Sequence, residues 1–353
     1  MKKFFPEDFY ARAIAMTGDK SLVEITTEKL GNIHNPAWVS TWENIANTYA
    51  EKAKITDETG NLRKSCAALS IACYPCLWDN ERNQAYQTVK KLYDRIQQQK
   101  GYTVIRNTIM FDGYAIPYAL RLAEKNPKNV TILLLRGLDS FKEVMYFDDS
   151  LLLEQGYNIL AIDFPGMGEN PHPLNQRCEV LFSTAIKSVF TAGHIRSPDY
   201  VTIGLGFGGY YAACLAASDP HSLGAVTLGA PLHYGFKPKL SRIIFHYQEI
   251  SFLQKMLKHS LQNMSSVRGF ISTLSLKKRG LLTQKSKPIF YINGALDLTV
   301  SNNEAQFLNT QGEQHRTLIL QDAGHLGVEK IESLFKDEIV PWLNNLTTRP
   351  GVK

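Results

Sequence analysis

Apolar positions in the first hundred residues recur at helical spacing. Between Thr41 and Lys54 they fall at Trp42, Ile45, Ala46 and Tyr49, the stripe of a helix with one buried face. Leu62 to Tyr74 continues the pattern, and Arg82 to Gln98 aligns Tyr86, Val89, Leu92, Tyr93 and Ile96. The spacing predicts a helical N-terminal domain over 1–100, its antiparallel helices joined by short turns at Pro75 and Asp79-Asn80. No repeat is clear enough to predict a solenoid.

The texture changes at Gly101. Two apolar, β-branched runs, Tyr102–Phe111 and Tyr114–Ala123, bracket Asp112-Gly113, a hairpin signal. Four buried-type strands follow at Val130–Leu135, Asn158–Ile162, Tyr200–Leu205 and Gly224–Leu228, with helices expected near 141–155, 176–192 and 207–218. Lys287–Ile292 and Thr317–Leu320 resume the strands, and Glu329–Leu343 reads as a closing helix. Such alternation predicts an α/β fold with a mostly parallel sheet covered on both faces. The core is expected over 101–232 and 286–353. The interruption at 233–285 is basic and amphipathic, with Phe, Leu, Ile and Met, and reads as a helical lid suited to an apolar substrate.

Composition narrows the class. With 353 residues there is room for one large domain and a smaller one. The net charge of +6 is spread along the chain rather than clustered, so nucleic acid is not an expected partner. Met1 to Asp8 has two lysines but no apolar run behind them, and no segment has the length of a spanning helix. A cytoplasmic protein without membrane partners is expected. The five cysteines suggest no disulfide framework. Cys73-Tyr-Pro-Cys76 ends a helix-like segment rather than a strand and has no second ligand pair nearby. It is expected to be structural, with no metal.

The chemistry concentrates at Val201-Thr-Ile-Gly-Leu-Gly-Phe-Gly-Gly209, a strand running into a glycine-rich turn and then a small-residue helix. That is the context of the nucleophile elbow G-x-S-x-G, yet its central position is Gly206. The remaining members of a nucleophile–acid–His order are present. Asp297 follows a strand in Phe290-Tyr-Ile-Asn-Gly-Ala-Leu-Asp297, and His325 lies in Asp322-Ala-Gly-His325 between the last strand and the last helix. An oxyanion hole would combine the N–H of Phe207 with one from Arg136-Gly-Leu-Asp-Ser140, with Leu138 the expected donor and Gly137 its near alternative. Arg136, Gly137 and Asp139 are expected to border the substrate.

These segments resemble the α/β-hydrolases, and within them the group similar to the fermentation–respiration switch protein FrsA. The resemblance runs from about residue 40 to the end. It rests on Gly137-Leu-Asp-Ser-Phe-Lys-Glu143, Ile162-Asp-Phe-Pro-Gly-Met-Gly168, Gly204-Leu-Gly-Phe-Gly-Gly209, Gly294-Ala-Leu-Asp297 and Gly324-His325. The group carries a helical domain before the hydrolase core and includes polyketide-shortening hydrolases. The resemblance implies cleavage of an ester, thioester or activated C–C bond in an apolar or aromatic small molecule, without a cofactor. The sequence departs from the group at Arg136, where a second glycine is common, and at Gly206, where serine is.

Gly206 leaves three readings open. The chain is an inactivated variant of a Ser-Asp-His hydrolase, or an enzyme using the His325–Asp297 dyad for cyclase, lyase or water-activated chemistry. The third reading is a catalytically dead binding or partner protein. Leu205 and Phe207 are apolar and Cys214 lies two turns further on, so no neighbour replaces the missing hydroxyl. The helical domain is compatible with a homodimer surface.

Overall fold

The computed structural model describes residues 5, 7–75, 77, 79–126, 128–237 and 269–348. Two compact units are present: Met1–Val104 with Glu143–Asp149, and Ile105–Lys142 with Ser150–Lys353.

The first unit is helical: α1 Glu7–Thr17, α2 Lys20–Leu30, α3 Trp38–Ala53, α4 Glu58–Ala72 and α5 Asn80–Gln99. Asp19, Asp57 and Asp79 cap α2, α4 and α5, each accepting a backbone N–H of the first turn. In the predicted stripe of α5, Tyr86, Val89, Tyr93 and Ile96 are at 2% exposure or less, while Leu92 is half-buried. Tyr86 donates its hydroxyl to buried Glu143 at 2.8 Å, so a carboxylate in this core has a specific partner.

In the second unit eight strands form one sheet in the order β1-β2-β4-β3-β5-β6-β7-β8. They are β1 Val104–Phe111, β2 Tyr114–Arg121, β3 Thr131–Leu135, β4 Asn158–Ile162, β5 Tyr200–Leu205, β6 Ser222–Leu228, β7 Ile289–Gly294 and β8 Arg316–Leu320. β2 runs antiparallel to β4, and the ladders from β4 through β8 are parallel. Residues 112 and 113 both take positive φ, the turn that matches strand twist in a two-residue hairpin. Helices accompanying the sheet include α6 Ser150–Glu154, α7 Glu179–Thr191 and α8 Phe207–Ser218.

The helix expected near 141–155 is confined to Ser150–Glu154. The backbone before it is committed elsewhere. Lys142 donates its N–H to Asp163 at 2.6 Å, and its buried ammonium bonds Asp163 at 2.9 Å and Glu169 at 2.7 Å. The closing helix also differs from expectation. It begins as a 3₁₀ turn at His325–Lys330, passes through a π turn at Phe335–Ile339 and ends at Thr347.

Most of the insertion expected at 233–285 lies outside the described residues, but both its ends are anchored. Fully buried Glu304 accepts N–H groups from His233 at 2.8 Å and Gly235 at 2.6 Å. His233 Nδ1 lies 2.8 Å from Ser275 Oγ. Arg279 donates to Tyr210 of α8 and Glu179 of α7 at 2.8 and 2.6 Å.

Register places the functional end of the sheet. Leu135 pairs with Gly204, Leu205 with Leu228, Leu228 with Ile292, and Gly294 with Leu320. Five parallel strands therefore end at one level, and the order reverses about β3, where α/β sheets open a crevice. The chain after β8 crosses the end of β7 directly over Gly294. A methyl group there would overlap the carbonyl oxygens of Ala323 and Gly324. Gly294→Ala is expected to cost about 3 kcal/mol or more in urea unfolding; stability equal to the parent chain would contradict this crossing.

Candidate active site

The elbow forms where β5 meets α8. Gly206 has φ 54° and ψ −122°, a conformation that strains residues bearing a Cβ. It is held from both sides, since its N–H donates to Leu228 of β6 at 2.8 Å and its carbonyl accepts from Gly209 at 3.0 Å. Phe207 opens α8, so its N–H lies among those without an intrahelical acceptor. Its ring is wedged against Phe164, Tyr210 and Phe236 with centroids 5.3–5.7 Å away, edge-on contacts that fix the first turn of the helix.

Asp297 lies just after β7 with a fully buried carboxylate. Its Oδ1 accepts the N–H groups of Thr299 at 2.6 Å and Val300 at 3.0 Å. Its Oδ2 accepts from Asn293 Nδ2 at 2.8 Å and lies 2.8 Å from His325 Nδ1. Burial pushes this carboxyl up, but the His325 charge and hydrogen bond, with those of Val300 and Asn293, outweigh it and hold the group below the ordinary carboxylate range. A carboxylate only accepts, so Nδ1 carries the proton in this pair and Nε2 is the acceptor of the neutral ring.

Nε2 points at the elbow. A Cβ built on Gly206 would lie 3.8 Å from it, with Gly137 Cα and Leu326 Cδ2 each at 3.9 Å. Leu326 itself has φ 67°, an uncommon conformation for a branched residue. It places the leucine side chain as a wall of the space beside Gly206.

The loop after β3 also arrives here. A Cβ at Gly137 would lie 3.3 Å from Leu205 O and 3.7 Å from Phe207 N, so Gly137-Leu138 runs alongside the elbow. Leu138 is buried and Asp139 half-buried. Arg136 is 1% exposed and its carbonyl lies against Gly208, so its side chain sits in the interior rather than on an exposed rim.

The sequence motifs thus bring Gly206, Phe207, Gly137, Asp297 and His325 together. They did not mark Asn293, the Thr299 and Val300 amides or Leu326. Asn293 lies on β7 four positions before Asp297, which follows the strand, and only the turn at Ala295–Leu296 folds the acid back onto it. Among the described residues the cysteines offer no substitute nucleophile. Burial raises the Cys178 thiol to about 11 and lifts Cys214 far above the thiol range, so neither supplies a thiolate at neutral pH. Cys73 is likewise buried and raised, and Cys76 lies outside the described residues.

The depressed pKa of Asp297 carries a sign. Between its folded value and the ordinary ~3.9 the unfolded chain binds more protons, so its stabilisation is full above ~3.9 and lost as pH falls through the folded value. Asp297→Asn should therefore flatten part of the acid limb in denaturation followed between pH 6 and 2. An unchanged acid limb would contradict the stabilised, buried Asp297 carboxylate.

Comparison with known proteins agrees with this architecture. The family model "Esterase FrsA-like" matches residues 6–322. The 2,6-dihydropseudooxynicotine hydrolase of Paenarthrobacter nicotinovorans is 23% identical over 316 residues, covering 87% of this chain and 83% of that protein. Wild-type AbyA5 superposes with a TM-score of 0.78 at 16% identity, covering 96% of this chain and 94% of that one. The solved 2,6-dihydroxy-pseudo-oxynicotine hydrolase gives 0.73 at 20% identity over 96% of each chain. No helix among the described residues is long and apolar enough to cross a membrane. The chain belongs to the FrsA-like esterase family and is a hydrolase of the α/β-hydrolase type.

Proposed function

We propose that this site cleaves an ester, thioester or activated C–C bond of an apolar small molecule, and that position 206 is its nucleophile seat. In the serine form His325 takes the hydroxyl proton, Asp297 orients the imidazole and offsets its charge, and the N–H groups of Phe207 and Leu138 hold the oxyanion. One observation carries the reading. A Cβ at Gly206 would lie 3.8 Å from His325 Nε2, whose opposite nitrogen is 2.8 Å from Asp297. One further bond from that Cβ brings a serine oxygen within the about 2.6–3.2 Å range of proton transfer.

The substrate class follows the family resemblance, and relatives named as hydrolases of a small molecule support it. For a polyketide-like β-diketone, attack at one ketone expels the neighbouring carbon as an enolate, which takes the proton from His325 and leaves an acyl-serine. Water that gives its proton to His325 then hydrolyses the acyl-serine, so the products are a carboxylic acid and a shortened ketone, a retro-Claisen cleavage. The Leu326 wall and the aromatic packing around Phe207 suit an apolar ligand.

Short aryl esters and a β-diketone test the reading in the parent chain, Gly206→Ser and Gly206→Ser/His325→Ala. The serine form is expected to exceed its His325→Ala partner by on the order of 10³-fold; equal rates would remove the dyad from the mechanism. Loss of all activity in every form would favour a binding protein instead. The serine has no steric conflict, but its φ costs roughly 1–3 kcal/mol. Its melting temperature should therefore not exceed the parent's, and a clear rise would contradict a strained elbow.

A further inference from the structure

We propose that in the glycine form the seat beside Gly206 takes the hydroxyl of a second substrate, water or a small alcohol. The chain would then transfer acyl groups in one displacement, without an acyl-enzyme. The proposal rests on the reading of position 206 as the nucleophile seat and deepens it by naming the nucleophile.

Three observations carry it. First, the elbow has room for a side-chain atom: outside its own chain neighbours, the nearest atoms to a Cβ at Gly206 are 3.8–3.9 Å away, in ordinary contact without overlap. The elbow stays in its φ 54°, ψ −122° conformation with no side chain there to require it. Second, the walls are chemically one-sided. Gly137 Cα and Leu326 Cδ2 are apolar, whereas His325 Nε2 is an acceptor facing the seat. A hydroxyl oxygen about one bond length nearer His325 than that Cβ position would come within hydrogen-bond reach of Nε2, the requirement for general-base activation. Third, the dyad is fully supported, with four hydrogen bonds on buried Asp297. A base held so firmly is competent whether the oxygen it serves is tethered or not.

The step balances without another reactant. The O–H proton of the alcohol or water passes to Nε2 as its oxygen bonds to the acyl carbon. The carbonyl electron pair moves onto the oxygen held by the Phe207 and Leu138 amides. Collapse breaks the bond to the leaving group, which takes the proton back from the imidazolium. The net result is an acid or a new ester plus the protonated leaving group.

The test uses the full chain, an activated aryl thioester and increasing methanol. The parent is expected to form methyl ester in proportion to methanol from the first turnover, with no burst of thiol and no acyl adduct by intact-mass spectrometry. Gly206→Ala puts a methyl group into the seat and should lower that rate roughly 10²-fold. His325→Gln should lower it similarly while leaving the elbow unaltered, which keeps the test independent of how well the alanine variant folds. The proposal is overturned if the parent is no faster than its His325→Gln variant, or if it accumulates an acyl adduct. Should Gly206→Ser turn over with a burst while the parent stays inactive, this inference fails and the seat reading stands. Should the parent be active and Gly206→Ser not, the inference holds and the covalent route is discarded.

Discussion

The parallel register of β3, β5, β6 and β7 is the constraint on which the site depends. Because Leu135 pairs with Gly204, Leu205 with Leu228, and Leu228 with Ile292, these strands leave the sheet at one level. Their loops must then share one small region. A one-residue slip would turn every strand's side chains to the opposite face, so the apolar pattern that fills the core also locks the register. Precision at the site is thus inherited from burial far from it.

Within that frame, Asp297 and His325 have opposite electrostatic requirements. Burial alone would neutralise the carboxyl, and a buried charge is tolerated only with partners. Two backbone N–H groups and Asn293 supply them, which leaves the second lone-pair face of Oδ2 for the imidazole. The arrangement is costly: Asn293 Oδ1 is buried without a hydrogen-bond partner among the described residues, and Leu326 holds a positive φ. Such costs gather where geometry matters more than stability. At Gly206, by contrast, glycine takes the elbow conformation without strain.

The alternation of strands and helices, the hairpin at Asp112-Gly113 and the elbow were legible because each depends on local spacing. The spacing before Ser150 suggests a helix that does not form, for a reason spacing does not contain: Lys142 is drawn into a buried network with Asp163 and Glu169. Asn293 escaped notice because a strand asparagine has no signature until a turn folds its neighbour back. Leu326 escaped because nothing in a leucine announces a left-handed backbone.

The sequence by itself determined the order of the elements, the glycine at the elbow and the candidate acid and base, since these follow from periodicity, turn chemistry and motif order. Only the tertiary structure decided that His325 Nε2 lies beside Gly206, that Asp297 is buried on four hydrogen bonds, and that Leu326 closes one side. Those distances come from the pairing of strands remote in the chain and from the crossing of β7 by the His325 loop. Long-range packing sets them, and no local pattern encodes long-range packing.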